Sequence, residues 1–487
     1  MGLIGYGEPA GRWVLAATVL GSSVGFLDAT VVNIALPSIG RDLGASATGL
    51  TWTVNAYALT LAAFVLTAGT AGDRFGRRRV YMVGLAWFGV TSLLCALATS
   101  TGMLVVLRAL QGVGAALVTP GALAIIQSSF RPDDRPRAVG AWSGLAGIAG
   151  AVGPFLGGWL VDVGSWRWIF LLNVPVVAAV LLITARHVPE SRDVGAAGRF
   201  DLVGAGLAAV ALGGLTYGLS SWAAHGAGSI SVQAGLSAGV LALIAFVLFE
   251  GRTSEPMLPL DVFSSALFSM TNVVTLLVYA ALGGVLFWLV IALQVVSGWD
   301  PLPAGLSLLP VTVLMLLFSA RSGALGARIG PRIPMTVGPL VAAVGVALLS
   351  RVGADAAYLS DVLLPVTLLG VGLTLTVAPL TATVLSAVPE SRAGLASGVN
   401  NAVARTGGLL LVAVLPALTG IGVTGFREPG QLAPAFRTAM LVCAALLAVA
   451  AVVAAVGIRA LPLRPEATAV SQQRRCPVDG PPIAVSE

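Results

Sequence analysis

The sequence predicts an all-α protein that crosses a membrane many times. Of its residues, 57% are hydrophobic and only 10% are charged, and its mean hydropathy is +0.94. Apolar stretches also recur at the length of roughly 20 residues that a helix needs to cross a hydrocarbon core. This balance leaves too little polar surface for a soluble protein of 487 residues,.

Fourteen such stretches can be placed, and each predicts one membrane-spanning helix. Short connections with glycine, proline or arginine separate them,. The ninth stretch is long, and the turn sequence Gly298-Trp299-Asp300-Pro301 ends it. In chain order the predicted helices cover residues 13–36, 48–69, 79–99, 102–126, 137–161, 167–186, 201–222, 231–250, 264–296, 302–324, 333–352, 360–387, 393–420 and 435–459.

The arginines predict the orientation of these helices. All 27 basic residues are arginine; two lie inside predicted helices, five on one side of the membrane, and the remaining 20 on the side of both termini. Because cytoplasmic loops carry the excess of basic residues, both termini are expected in the cytoplasm of a multi-pass cell-membrane protein. No cleavable signal is evident, so the first stretch is expected to remain as the first helix. The five arginines of the outer side are Arg41, Arg167, Arg351, Arg427 and Arg437.

Composition excludes several kinds of chemistry. Without lysine, the chain lacks the phosphate-binding lysine of a P-loop and any Schiff-base lysine,. His187 and His225 are too far apart for a compact metal site, and the three cysteines suggest no disulfide framework,. We therefore expect no catalytic residue, no metal and no cofactor. The arginines are spread over many loops, so the expected partner is the lipid bilayer and not nucleic acid.

Two loops repeat at nearly the same spacing. The segment Gly69–Arg79 recurs in weakened form as Gly323–Arg332, an offset of 254, and Arg137-Ala138 recurs as Arg392-Ala393, an offset of 255. Matching offsets indicate a duplicated six-helix unit. The predicted organisation is an amino-terminal six-helix half (12–200), two extra membrane helices (201–255), a carboxyl-terminal six-helix half (256–460) and a disordered cytoplasmic tail (461–487).

Asp28 is an acid inside the first apolar stretch. A carboxylate at such a position costs about 2.5–3.5 kcal/mol on insertion scales, so its presence indicates a function within the membrane. The function predicted for Asp28 is to carry a proton.

Arg108, in the fourth predicted helix, lies about six residues from its outer end, and Asp28 lies about sixteen residues beyond Arg12. At about 1.5 Å per residue the two reach similar depths and could meet. Moving Arg108 relative to Asp28 would change the proton affinity of the carboxyl group, which is a means of coupling. The alternative is a static buried ion pair that only fixes helix packing.

The loop after the second predicted helix suits a conformational latch. It contains Asp73, Arg74, Gly76, Arg77 and Arg78. Glycine permits a tight turn, and an acid can pair with arginine or lie at a helix amino terminus. Such a contact can form in one state and break in another. The alternative is an arginine cluster that only sets topology.

The fifth predicted helix is rich in small residues, among them Gly153, Pro154, Gly157 and Gly158. Small residues allow close helix approach, and Gly-Pro allows a bend. Generic close packing is the alternative explanation.

These motifs together resemble the fourteen-helix drug:proton antiporters of the major facilitator superfamily. The resemblance covers residues 12 to 459 and implies a major facilitator fold, with two six-helix halves plus two inserted helices. It implies proton coupling for Asp28 and Arg108, a latch for the Asp73 loop, and the antiporter motif for the glycines and proline of the fifth helix. The chain departs from the family pattern at Ala71 and Ala149. In the second copy of the repeated loop Ala327 replaces the acid, so a latch would be asymmetric. The segments that carry the resemblance are Leu27–Pro37, Gly69–Arg79, Leu104–Ala115, the Gly-Pro helix and Trp166–Pro175.

Several polar residues within predicted helices are candidates for a substrate cavity, although packing or lipid contact would explain each equally well. Arg405 would pair with either an anionic substrate group or a backbone carbonyl group. Related pumps for dications use an extra membrane carboxylate, whereas helices nine to fourteen here carry acids only near their ends. The resemblance therefore implies neutral, monocationic or amphiphilic cargo. The candidates are Asn33, Asn55, Gln111, Gln294 and Arg405.

The predicted function is export of hydrophobic small molecules, such as drugs or antibiotics, in exchange for protons. The expected partners are an amphiphilic small molecule, protons and the bilayer, and the expected functional unit is a monomer. Two alternatives remain open at this point. One is proton-coupled transport of a defined metabolite, such as an amino acid, sugar or siderophore, and the other is a membrane receptor that transports nothing.

Overall fold

The computed structural model describes residues 4–131, 134, 138, 141–142, 152–153, 155–192, 201–253, 256, 258–388, 393–421 and 425–458. This part of the chain is largely α-helical. Its only β-pairing is one isolated bridge between Ile4 and Phe130. The helices are α1 (Pro9–Asp42), α2 (Ala47–Phe75), α3 (Arg77–Ala96), α4 (Thr101–Ser129), α5 (Arg167–Leu171), α6 (Asn173–His187), α7 (Leu202–His225), α8 (Ile230–Glu250), α9 (Ala266–Val295), α10 (Pro301–Leu306), α11 (Leu309–Ile329), α12 (Arg332–Leu349), α13 (Leu363–Ser386), α14 (Ala393–Thr419) and α15 (Pro429–Gly457).

Twelve helical segments within the described residues are long and apolar enough to cross a membrane, against the fourteen that the sequence predicts. Of the other two predicted stretches, 48–69 lies in α2, which is helical throughout but holds residues whose side chains are outside the described part. Most of the stretch 137–161 is outside the described residues, although 155–163 is helical. The number fourteen therefore stays a prediction, as does the tail 461–487, which is also outside.

Some predicted stretches are divided more finely than the sequence indicates. The stretch 167–186 forms two helices, α5 and α6, which meet at Leu172. The stretch 302–324 forms the short α10 and the longer α11, and a π-helical turn at Tyr358–Val362 leads into α13. The long ninth stretch is one continuous helix, α9.

The helices pack as two groups. The amino-terminal group, α1 to α6, is held by contacts of α4 with α2 and α3, and of α1 and α3 with α6. The carboxyl-terminal group, α9 to α15, is held by contacts of α9 with α14 and α15, and of α13 with α11 and α12. Helices α1 and α2 touch the second group, through α9 and α14 respectively. Possible ligand sites therefore lie along α1 and α2.

The repeated loop of the sequence occupies equivalent places in the two groups. Gly76 ends α2 with φ +107°, and Gly330, 254 positions later, ends α11 with φ +85°. Side chains with a Cβ rarely adopt positive φ, so glycine is needed at both turns. The duplicated six-helix unit stays a prediction.

Helices α7 and α8 form an antiparallel pair with almost no gap between the backbones. Each contains two glycines four positions apart: Gly214 and Gly218 in α7, and Gly235 and Gly239 in α8. A Cβ at Gly239 would lie 2.5 Å from the amide nitrogen of Leu215. Glycines at this spacing let membrane helices approach closely, so van der Waals contact holds the pair together.

A leucine at Gly239 should therefore separate α7 from α8. We expect Gly239→Leu to destabilise the protein by about 1–3 kcal/mol, the usual cost of overpacking, measured by thermal unfolding in detergent. Gly206→Leu in α7 is the matched control, because a Cβ there meets nothing within 4 Å. Equal stability of the two variants would contradict this account of the pair.

Candidate functional site

Asp28 lies deep in the protein on α1 and is only 3% exposed. The helix begins with Pro9 at its first turn, and two of the hydroxyl groups near Asp28 are satisfied within the helix. The hydroxyl groups of Ser23 and Thr30 donate to carbonyl oxygens one turn earlier, Val19 O at 2.7 Å and Phe26 O at 3.1 Å. Asp28 is thus an acid that requires partners from other helices.

The main partner of Asp28 is Arg108 on α4. Arg108 Nη1 donates to Asp28 Oδ2 at 2.5 Å, and both side chains are 1% exposed. The guanidinium also donates through Nε to the carbonyl oxygen of Thr53 at 3.2 Å and stacks on the ring of Tyr57, 4.3 Å from its centroid. Helices α1, α2 and α4 therefore meet at one ion pair.

Three neutral side chains complete this polar cluster. Gln111 accepts from Arg108 at 2.6 Å and donates to both Asp28 Oδ1 (3.1 Å) and Ser92 Oγ (2.7 Å). Asn173, at the start of α6, donates to Asp28 Oδ1 and to Ser92 Oγ, each at 3.3 Å. Hydrogen bonds of this kind offset the cost of burying charge. Gln111, predicted as a cavity residue, belongs to this cluster instead.

A first cavity of about 180 Å³ lies beside the ion pair, between α1, α2, α4 and α14. Its wall on α1 includes Gly25 and Ala29, which flank Asp28. Trp142 also contributes and donates through Nε1 to Ser22 Oγ at 3.0 Å. The polar residues that define the first cavity are Ser22, Tyr57, Thr119, Trp142, Asn401 and Arg405.

A second cavity of about 180 Å³ lies on the other side of α1, against α9, α11 and α13. Asn33 and Thr30 supply polarity on α1, and leucine, valine and methionine supply most of the rest. Asn33 donates to Ala29 O within its own helix at 3.2 Å, and its Oδ1 has no partner among the described residues. No charged side chain of the described chain lines this cavity.

The other predicted cavity residues have different surroundings. Asn55 is buried, and neither atom of its amide has a partner among the described residues. It lines neither cavity. Gln294 on α9 donates to Ile34 O of α1 at 2.9 Å, so it joins the two helix groups. Arg405 lines the first cavity.

Further contacts join the two groups at the end of the bundle where α1 ends. The carboxylate of Asp162 accepts from the backbone amide of Leu302 in α10 at 3.1 Å. A Cβ at Gly158 would lie 2.5 Å from Leu302 Cα, whereas Gly153 and Gly157 face Thr30 and Val31 of α1. The predicted antiporter glycines are therefore contact points, and Pro154 lies outside the described residues.

The predicted latch residues lie at the turn between α2 and α3. The backbone amide of Arg78 donates to Glu190 Oε1 at 3.1 Å, and its guanidinium donates to Val188 O at 3.1 Å. The backbone amide of Arg77 donates to Ser191 O at 2.9 Å. The turn therefore docks on the segment after α6. The side chain of Asp73 is outside the described part, and Arg74 Cζ lies 5.8 Å from the ring centroid of Phe75.

Several residues of these sites could not be identified from the sequence, among them Ser92, Tyr57, Asn173, Asp162 and Glu190. Asn173 was within a segment noted only for aromatic residues at the interface, and Glu190 was in a polar loop. Asn173, Asp162 and Glu190 are polar residues near helix ends, whereas Ser92 and Tyr57 lie within α3 and α2 and carry no such signal. The direction in which each side chain points could not be inferred without neighbours.

Residues 18–413 match the family model described as "Major Facilitator Superfamily". The chain is 36% identical over 416 residues to "Multidrug resistance protein Stp" of Mycobacterium tuberculosis (strain CDC 1551 / Oshkosh), covering 85% of this chain and 77% of that protein. It is 37% identical over 404 residues to "Tetracenomycin C resistance and export protein" of Streptomyces glaucescens, covering 83% and 75%. It is 38% identical over 415 residues to "Puromycin resistance protein pur8" of Streptomyces alboniger, covering 84% and 82%.

Solved transporters share the fold. A POT family transporter in complex with a thioalcohol conjugated peptide aligns with a TM-score of 0.68 at 14% identity, covering 92% of this chain and 96% of that one. A bacterial homologue of the human lysosomal transporter Spinster, inward-facing and unoccupied, aligns with a TM-score of 0.65 at 18% identity, covering 92% and 97%. At these identities the likeness concerns the fold alone.

The ion pair between Asp28 and Arg108 should affect the stability of the protein whether or not the protein transports cargo. Arg108→Gln leaves Asp28 buried without its counter-charge, which costs about 3–5 kcal/mol when a fully buried pair is broken. We expect a correspondingly large loss of thermal stability in detergent at neutral pH.

Two comparisons make the result interpretable. Arg78→Gln removes an arginine that is 33% exposed and lies 3.8 Å from Glu190, so it should cost below about 1 kcal/mol. The double variant Asp28→Asn/Arg108→Gln should regain stability relative to Arg108→Gln, because no uncompensated charge remains. Equal losses for Arg108→Gln and Arg78→Gln would contradict a structural role for the pair.

Proposed function

The chain belongs to the Major Facilitator Superfamily, and from this premise we propose that it exports drugs or antibiotics from the cell in exchange for protons. The named resistance and export proteins among its relatives support the export of drug-like molecules. The observation that carries the proton part is the position of Asp28. It is buried against Arg108 and flanked by residues of the first cavity.

The acceptors around Arg108 allow its guanidinium to release the carboxylate of Asp28 and to bind it again. The guanidinium is held by Gln111 Oε1 and by Thr53 O, so it keeps two acceptors when Asp28 binds a proton. A nearby guanidinium favours the charged carboxylate and burial favours the neutral acid. A change in the distance between Asp28 and Arg108 therefore changes proton affinity, which links proton binding to the state of the bundle.

We assign fourteen membrane helices, as in the fourteen-helix drug:proton antiporters. The protein lies in the cell membrane with both termini in the cytoplasm. The halves are 12–200 and 256–460, with the inserted pair between them. Each monomer holds a complete pathway. The turn at Gly76, with Asp73 and its arginines, acts as the cytoplasmic latch, and Glu190 is its partner in the state described here.

In this orientation the contacts of Asp162, Gly158 and Gln294 lie on the outer side. They join the amino-terminal group to α9 and α10 and close that side. The first cavity lies toward the cytoplasm, since it includes Ser22 of α1 and Thr119 of α4, which are on the cytoplasmic side of Asp28 and Arg108. We therefore propose that this state loads cargo from inside.

The proton role of Asp28 can be tested in everted vesicles that carry an imposed pH gradient. Addition of a fluorescent hydrophobic dye should release protons from vesicles with the wild-type protein. Asp28→Asn should abolish this dye-dependent proton release, because an amide cannot bind and lose a proton in this range.

Asp42→Asn is the matched control on the same helix. Asp42 lies at the end of α1, where it pairs with Arg167 at 2.5 Å and is 46% exposed, so its loss should leave proton release intact. Normal dye-dependent proton release by Asp28→Asn would remove Asp28 from the mechanism.

The outer contact gives a second test. Gly158→Leu places a side chain against the backbone of Leu302 and should hold the outer side open. In a background without the native cysteines, the Asn33→Cys variant should then react faster with a membrane-impermeant thiol reagent added outside. Gly102→Leu, at a site where a Cβ meets nothing within 4 Å, should not change the rate. An unchanged rate in Gly158→Leu would contradict the assignment.

A further inference from the structure

Among the residues that the structure describes, Arg405 has no counter-ion. It lies twelve residues into α14, about 18 Å along the helix from its start,. It forms no hydrogen bond or ion pair with any described residue, and its Nε is buried without a partner. The two titratable side chains that interact with its charge are the phenols of Tyr57 and Tyr279, which are uncharged at neutral pH.

An unpaired guanidinium is an expensive feature in this part of a membrane protein. Charged groups within membrane helices pair with one another or with backbone carbonyls, or they face a cavity that a ligand enters. The structure removes the first two explanations for Arg405 within the described chain. The third one fits, because Arg405 lines the first cavity.

The surroundings of Arg405 are those of a binding site. Asn401 lies one turn earlier on the same face of α14, and Tyr57 faces them from α2. The remainder of the wall is largely apolar and aromatic, with Phe26, Phe88 and Trp142. A planar guanidinium can bind a carboxylate through two parallel hydrogen bonds, and the apolar wall can hold a ring system. The second cavity, by contrast, has no charged side chain among its described lining residues.

We propose that the first cavity binds organic acids, with Arg405 holding the carboxylate and Asn401 and Tyr57 orienting it against an apolar body. This inference rests on the proposed function in one respect, namely that the first cavity is the cargo site. It revises the neutral or monocationic cargo expected from the sequence. That expectation considered the acids of helices nine to fourteen and left the partner of Arg405 open.

Binding to the purified full-length protein in phosphatidylcholine nanodiscs tests the proposal. The probes are 2-naphthylacetic acid and its methyl ester, which share the ring and differ in charge. Loss of a hydrogen bond to a charged group costs about 1.5–3 kcal/mol, so the acid should bind at least about tenfold more tightly than the ester. Quenching of tryptophan fluorescence reports binding, and Trp142→Phe should reduce the signal.

Variants of Arg405 test whether this side chain causes the preference for the acid over the ester. Arg405→Gln should weaken binding of the acid about tenfold and leave binding of the ester unchanged, whereas Arg405→Lys should retain part of the preference. The control is Arg321→Gln on α11, whose exposed guanidinium lies over Phe318 outside the first cavity. An acid preference that survives in Arg405→Gln, or equal binding of acid and ester by the wild type, would overturn the proposal.

The outcome is separable from the proposed export function. Proton release on addition of the hydrophobic dye depends on Asp28 and not on a carboxylate in the cargo. Wild-type protein that releases protons with the dye but binds acid and ester equally would refute the acid site alone. Protein that prefers the acid but releases no protons with any cargo would refute proton exchange alone.

Discussion

The contact between Asp28 and Arg108 is the constraint to which the rest of the amino-terminal group is fitted. Two full charges are nearly free of solvent contact at an N–O distance of 2.5 Å. The attraction between buried charges often fails to repay their desolvation, unless other hydrogen bonds satisfy the remaining atoms. Here Gln111, Asn173 and the carbonyl group of Thr53 provide those bonds. Helices α1, α2, α4 and α6 must therefore keep a common geometry around one carboxylate.

Helix α1 links this constraint to both cavities. Asp28 faces the amino-terminal group, Gly25 and Ala29 face the first cavity, and Thr30 and Asn33 face the second. A small rotation or shift of α1 would change all three surfaces together. Tyr57 adds a second link, because its ring stacks on Arg108 and also lines the first cavity. Helix α1 and Tyr57 therefore connect the first cavity directly to the Asp28–Arg108 ion pair.

How far the sequence could predict the site differs from residue to residue. Counting residues along two helices was enough to place Asp28 and Arg108 at one depth, because helix rise is fixed. It could not assign Gln111 to the ion pair or Gln294 to an interhelical contact, since both depend on how each helix is rotated about its axis. The same is true of the fold. Hydropathy was sufficient to predict the helices, and the glycine-rich turns were sufficient to predict the repeat. The break at Leu172 and the close crossing of α7 and α8 depend on neighbouring helices.

Arg405 and Asp28 together set a condition on coupling. Tyr57 lies between the two, since its ring stacks on Arg108 and lines the first cavity together with Arg405. Protonation of Asp28 makes this region more positive, so in a protein that does not move it would strengthen the binding of an anion. Direct electrostatics would then favour joint binding of proton and acid, which is the opposite of exchange. Export by exchange therefore requires that the two states of the bundle make proton and cargo alternate. In the proposed exchange, the contacts of Gly158 and Asp162 with Leu302, which join the two helix groups, would be such a switch. The membrane potential would favour such an exchange. When an anion leaves and a proton enters, two elementary charges cross the membrane, and each lowers the free energy by about 2.3 kcal/mol per 100 mV of interior-negative potential.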